Sequence, residues 1–215
     1  MQIKLEQLVP IPLKEKLTVR SSDIWNTNVS FSAGEWIKIV APSGSGKTTL
    51  MNIIYKSRHD YEGLVKWDNQ DVKHIAGDEL ARWRQQKISV IFQDLRLFQN
   101  LTARENIELN RVMQKPYYET GVIDNMSSFL DITHILNQRA GICSYGEQQR
   151  IAIIRALVQP FEWLIMDEPF SHLDIANTKK AATLIAEECK KRNAGFILTD
   201  LDEDLLFPYT QSLSL

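Results

Sequence analysis

Apolar positions along the chain follow two periods. Residues 2–9 alternate apolar and polar, the pattern of an edge strand, and Pro10 and Pro12 end it. Residues 17–35 hold one or two more strands, with Val29-Ser30-Phe31-Ser32 alternating before a turn at Ala33-Gly34-Glu35. The run Trp36–Val40 is a short apolar strand. Leu50, Ile53 and Ile54 then carry a helical period that fades near Arg58-His59-Asp60. Gly63–Trp67 predicts a strand with a turn at Asp68-Asn69-Gln70, and 78–86 a helix opening on Asp78-Glu79, acids suited to a helix N-terminus. Ile88–Phe92 is a β-branched strand with Gln93 at its end.

From 102 to about 158 the period becomes helical. Thr102 and Glu105 have capping-box spacing, and more helix is expected at 117–130. Gly146–Val158 reads as a long amphipathic helix stopped by Pro160. Strand character returns in Trp163–Met166, directly before Asp167-Glu168-Pro169. A helix over 175–192 places Ile175, Ala182, Ile185 and Cys189 on one side, Gly195–Thr199 is a last strand, and a short tail follows. Strands and helices alternate in both outer thirds. The fold class expected is therefore α/β with a mostly parallel sheet, formed by 1–93 and 161–215, with a helical insertion over 94–160.

Chemistry enters between the Trp36–Val40 strand and the helix after it. Ala41-Pro42-Ser43-Gly44-Ser45-Gly46-Lys47-Thr48-Thr49 is a small-residue loop ending in Gly-Lys-Thr, the context of a phosphate-binding loop. Gly44 and Gly46 let backbone N–H groups curl around phosphate oxygens, and the helix adds its positive end. Lys47 is placed for the β/γ-phosphates and the Thr48 hydroxyl for Mg²⁺. The pattern begins with Gly, where this chain has Ala41. A plain Gly/Ser surface turn is the alternative, and the strand and helix on either side weigh against it.

Asp167 and Glu168, at the tip of an apolar strand, complement such a loop: the first acid supports the metal, and the second can polarise an attacking water. Cys143-Ser144-Tyr145-Gly146-Glu147-Gln148-Gln149-Arg150 opens the long helix with an anion-accepting end. From the residues alone it is equally a capped helix. Composition narrows the class without adding chemistry. The 215 residues carry a net charge of −2, which argues against a general nucleic-acid binder. The two cysteines, Cys143 and Cys189, have no metal-ligand or redox spacing and suit free thiols in a reducing cytoplasm. No stretch approaches the ~20 apolar residues of a membrane span, and the alternating start is not a signal peptide.

The phosphate loop, Ser144–Arg150, Asp167-Glu168-Pro169 and Ser171-His172-Leu173-Asp174 stand in the order of the ATP-binding cassette ATPases, and Phe92–Phe98 resembles their glutamine loop. The chain is most similar to the branch with lipoprotein-release, MacB-type export and FtsE-like ATPases. The resemblance spans essentially the whole chain. It implies a RecA-like P-loop core with an antiparallel N-terminal β portion, ATP and Mg²⁺ as cofactors, and two cassettes, of identical or different chains, paired head to tail. By that resemblance Ser144, Gly146 and Glu147 form the helix end that meets the partner's ATP. Gln93 binds metal with Thr48 and Asp167, Glu168 acts on water, and Asp174 communicates across the dimer. A separate integral membrane permease is implied, with the cassette peripheral on the cytoplasmic face.

The chain departs from the family pattern in several places. Cys143 replaces Leu and Tyr145 replaces Gly in the signature, and Asp200 falls where the family has a switch histidine. None of His59, His74, His134 or His172 takes that place, although His172 is near the acidic tip. No aromatic residue near position 15 offers itself to adenine, which leaves Trp25 as the substitute. These features predict an ATPase that is slow or partner-dependent. The alternative is a nucleotide-dependent interaction protein with little turnover.

Overall fold

The computed structural model describes residues 1–17 and 21–215. In chain order the elements are β1 (Ile3–Pro10), α1 (Lys14–Leu17), β2 (Asn28–Phe31), β3 (Trp36–Val40), α2 (Lys47–Ile54), β4 (Tyr61–Trp67) and β5 (Gln70–Asp71). There follow α3 (Gly77–Gln86), β6 (Ile88–Ile91), α4 (Ala103–Val112), α5 (Gly121–Phe129), α6 (Tyr145–Val158), β7 (Trp163–Asp167), α7 (Ile175–Arg192), β8 (Gly195–Asp200) and β9 (Gln211–Ser214).

Two sheets result. One is antiparallel, in the order β2-β1-β4-β5, and the other is parallel, in the order β6-β7-β8-β3-β9. The central strand β7 is apolar on both faces up to Met166 because both are covered. In β7, Trp163 and Ile165 join the core under the antiparallel sheet, with Ile39, Leu50 and Trp67. Leu164 and Met166 point the other way, into the core shared with Ile154 and Leu157 of α6 and Ile185 of α7. The helices α4–α6 are thereby continuous with one face of the sheet.

Several expectations need correction. The 2–9 strand is not an edge, since β1 lies between β2 and β4. Alternation reports which side chains are buried and is silent on whether the backbone edges are paired. Its bulge at Gln7, where φ is +48°, brings the Glu6 and Gln7 carbonyls so close to Gly63 that a Cβ there would meet them at 2.5 and 2.3 Å. Within the described part of 17–35 one strand, β2, is found, in keeping with the one or two expected, and residues 18–20 lie outside the described residues. The C-terminal tail contains a strand, β9, paired parallel to β3 from Ile37↔Gln211 to Val40↔Ser214. The helix expected at 117–130 is shorter, and α6 is buried nearly all round in its second half rather than amphipathic. Ile175 is 77% exposed and stands apart from the buried face of α7.

Candidate nucleotide site

The loop leaves β3 still tied to the sheet, the Ala41 amide donating to the Asp200 carbonyl at 3.1 Å. Ala41 is fully buried, so the small side chain in place of glycine packs inward. Gly44 and Gly46 have φ of +76° and +107°, in the left-handed region that side chains disfavour. A Cβ on Gly46 would sit 2.6 Å from Leu13 Cδ1 and 3.2 Å from the Trp25 ring, whereas one on Gly44 would face open space. Trp25 is 4% exposed and its indole N–H donates to the Ser45 carbonyl at 3.4 Å. It is therefore a support beneath the loop, with no open ring face for adenine, and that expectation is corrected. Leu13, which carried no motif, lines the mouth of the cleft instead.

The cleft above the loop, about 250 Å³, gathers residues from four segments. Lys47 Nζ donates to the Ala41 carbonyl at 2.8 Å and lies 3.2 Å from Glu168 Oε1. The Thr48 hydroxyl donates to Gln93 Oε1 at 3.2 Å, and Gln93 Nε2 donates to Glu168 Oε2 at 3.3 Å. Glu168 follows the buried strand β7 with φ of +48°, and its amide donates to the Thr199 carbonyl at 3.0 Å. Asp167 is 3% exposed and accepts from the Thr199 hydroxyl at 2.8 Å, an orienting partner that no motif flagged.

These residues fit a nucleotide and its metal. Ser45 Oγ is buried at the loop without a hydrogen-bond partner. Backbone turns at Gly44 and Gly46 open toward a cleft containing a cation, and the donor set of hydroxyl, amide and carboxylate oxygens suits a hard divalent ion. Among the described residues no group of three or more His, Cys, Asp or Glu forms a ligand cage. Such a donor set matches an ion that takes its remaining ligands from water and phosphate.

The helix α6 begins with a complete capping box. Ser144 Oγ accepts from the Glu147 amide, and Glu147 Oε2 accepts from the Ser144 amide and hydroxyl at 2.8 Å each. Burial alone would raise the Glu147 carboxyl, but these bonds and His134 outweigh it and hold it below the usual range. Cys143 packs as a small buried group, its thiol pushed up by burial. Tyr145 folds back onto its own subunit: its ring meets His172 at 4.1 Å and its hydroxyl donates to the Gln93 carbonyl at 3.4 Å. At Gly146 an added Cβ would lie 3.0 Å from the His172 carbonyl, a tight contact that glycine avoids. Asp174 caps α7, and the Asn177 amide, at 2.8 Å, holds its carboxyl down.

Asp200 ends β8 directly beside Val40 and the loop. Its carboxylate lies 3.4 Å from Lys38 Nζ, which is 1% exposed and also bound to Asp204. Sequence reading passed over Lys38 because a lysine in a short strand looks like an ordinary outward polar position.

Comparison with known proteins agrees with this geometry. The family model described as ABC transporter matches residues 24–171. The uncharacterized ABC transporter ATP-binding protein YvcR of Bacillus subtilis is 33% identical over 81% of this chain and 68% of its own length. The macrolide export ATP-binding/permease protein MacB of Campylobacter jejuni is 34% identical over 79% of this chain but only 26% of its length, so the chain spans about a quarter of that relative. Among solved structures, the dimeric bacterial ABC transporter cassette MJ0796 superposes with a TM-score of 0.77 at 27% identity, covering 93% of this chain and 88% of that one. A post-hydrolysis state of MJ0796 bound to ADP and Pi gives 0.79 at 26%. A P-loop with its facing Glu168 and Gln93, the capped helix α6 and this match together assign the chain to the ABC transporter family, as an ATP-binding cassette ATPase domain.

Proposed function

We propose that this chain binds Mg-ATP at the 41–49 loop, hydrolyses it slowly, and uses it to close a head-to-tail pair of cassettes that drives a separate membrane protein. The observation that carries this reading is the convergence of Lys47, Thr48, Gln93 and Glu168 in one cleft, each paired with another of the set. Lys47 binds the β/γ-phosphates, Thr48 and Gln93 with Asp167 hold the metal, and Glu168 accepts a proton from the attacking water. When bound, the metal neutralises charge on the phosphates. The helix end at Ser144, Gly146 and Glu147 meets the ATP of the other cassette, and Asp174 links the two sites.

No helix among the described residues is long and apolar enough to cross a membrane. A second cleft, of about 270 Å³ beside the glutamine loop, supports a docking place for that partner. Tyr55, Phe92 and Met113 give it apolar walls, and Arg84, Arg96 and Arg155 give it positive charge. Burial pushes the Arg155 guanidinium down to about 10, which still leaves it cationic at neutral pH. The fitting segment is apolar with a carboxylate.

A regulatory reading, ATP-driven closure with little turnover, draws on Asp200 at the switch-histidine position, because a carboxylate supplies no neutral donor to the γ-phosphate. Two measurements on the intact chain decide. Turnover above that of Glu168→Gln supports hydrolysis, and equal rates leave only the regulatory reading. Absence of ATP-induced dimerisation in Glu168→Gln sinks both readings for a pair of identical chains.

A further inference from the structure

Tyr145 stands where the family signature has glycine, and its contacts form a circuit. The ring packs on His172 at 4.1 Å with planes 63° apart. The His172 amide donates to Gln149 Oε1 at 3.0 Å, and Gln149 Nε2 donates to the Glu168 carbonyl at 3.3 Å. The Glu168 carboxylate accepts from Gln93 Nε2 at 3.3 Å, and the Gln93 carbonyl accepts from the Tyr145 hydroxyl at 3.4 Å. Gln149 is 1% exposed on α6, so this side of the circuit is fixed in the core. The start of α6 cannot shift against Gln93 and Glu168 without breaking contacts on both sides of Tyr145. Glycine at this position would leave the Gln149 side intact and remove the other.

We propose that Tyr145 is a positioning residue that ties the signature helix to the glutamine loop of its own subunit. A change in what the Gln93 side chain holds is thereby carried to Ser144 and Gly146, the helix end offered to a second copy. This rests on the ATP-driven pairing proposed above. It opposes the simpler idea that Tyr145 only obstructs approach of the partner's phosphates, and the two ideas differ in sign. If the ring obstructs, Tyr145→Gly restores the family residue and improves pairing. If the ring positions, Tyr145→Gly loses the register and worsens it.

The test uses the intact chain with Mg-ATP. Sedimentation velocity in the Glu168→Gln background reads ATP-induced dimerisation, steady-state turnover is measured with Glu168 in place, and equilibrium binding reads ATP affinity of the single subunit. For Tyr145→Gly we expect dimerisation weakened and kcat lowered by about tenfold, with KM within about twofold, because the loss is of alignment rather than of phosphate contacts. Tyr145→Phe keeps the ring on His172 but loses the hydroxyl, the bond that ties the helix to the Gln93 backbone, so it should fall close to Tyr145→Gly in dimerisation and kcat while keeping the parent's thermal stability. A purely structural role would lower thermal stability in Tyr145→Gly without this split of kcat from KM, and would leave Tyr145→Phe, which keeps the packing, like the parent. Dimerisation and turnover in Tyr145→Gly equal to or above the parent overturn the proposal. If the Glu168→Gln parent binds ATP and dimerises while the Tyr145 variants match it, only this inference fails. If that parent does not respond to ATP at all, the underlying reading fails first and takes the inference with it.

Discussion

The ends of β7 and β8 lie side by side in one sheet, Asp167 opposite Thr199, and both carry carboxylates. They are treated in opposite ways. At β7, Glu168 reaches into the open cleft and meets Lys47, a cation that phosphate can claim. At β8, Asp200 meets Lys38, which is shut away under the 201–210 segment with Asp204 on its other side. The Tyr209 hydroxyl donates to Asp204 at 2.6 Å, and Phe207 buries its ring against Trp36 and Phe196. An acid at a strand tip is therefore insufficient for a phosphate site. What makes the site is a cation in an open cleft whose pairing can be exchanged.

The largest break in this comparison is Lys47→Ala. It removes the exchangeable cation, and Mg-ATP affinity should fall by ~10²-fold or more by calorimetric titration. Unchanged affinity would sink the loop assignment. Next is Glu168→Gln, which keeps the hydrogen bond to Gln93 possible while removing the proton acceptor. Turnover should drop by ~10²-fold or more with nucleotide still bound.

How much of this was legible follows from sequence distance. The loop at 41–49 and the capping box at Thr102–Glu105 are local, so spacing alone disclosed them, whereas the box at Ser144–Glu147 was read only as a capped or anion-accepting helix start. The Lys38–Asp200–Asp204 cluster joins positions more than 160 residues apart, and nothing around Lys38 in sequence announces it. β9 escaped for a related reason: Gln-Ser-Leu-Ser has no apolar run, and it forms only because β3 offers it an edge. Tyr145 was visible as a departure, but its direction depends on His172 and Gln93, which come from different segments.

The β8 side breaks less severely, at Asp204→Asn. Burial alone would raise the Asp204 carboxyl, but hydrogen bonds from Lys38, Tyr209 and the Leu206 amide outweigh it and hold it below the usual range. A depressed carboxyl contributes stability that is present above its unfolded value of about 4 and lost as pH falls through the folded value. The variant should be ~2 kcal/mol less stable at pH 7. In a chain of this length that is a melting temperature lower by about 4–8 °C. The deficit should shrink as pH falls below about 4, and thermal melts from pH 7 to 3 read it.

The smallest effect sharpens the comparison most. If the Asp200 carboxylate stood directly against the γ-phosphate, a unit charge at ~4 Å near a protein surface would oppose binding by about 4 kcal/mol. Asp200→Asn would then tighten ATP by up to ~10³-fold. Held against Lys38, the same carboxylate acts on the phosphate from farther away and with its field partly cancelled. Lys38 is shared with Asp204, so cancellation is incomplete, and a gain of under about fivefold is expected. That residual gain should shrink further between 0.05 and 0.5 M salt, because the Debye length falls from roughly 14 to 4 Å. Titration of Mg-ATP into Asp200→Asn at the two salt concentrations separates the cases. A large gain that persists in high salt places Asp200 in the phosphate site after all. A small, salt-sensitive gain leaves Lys38 as the reason an acid is tolerated at the end of β8.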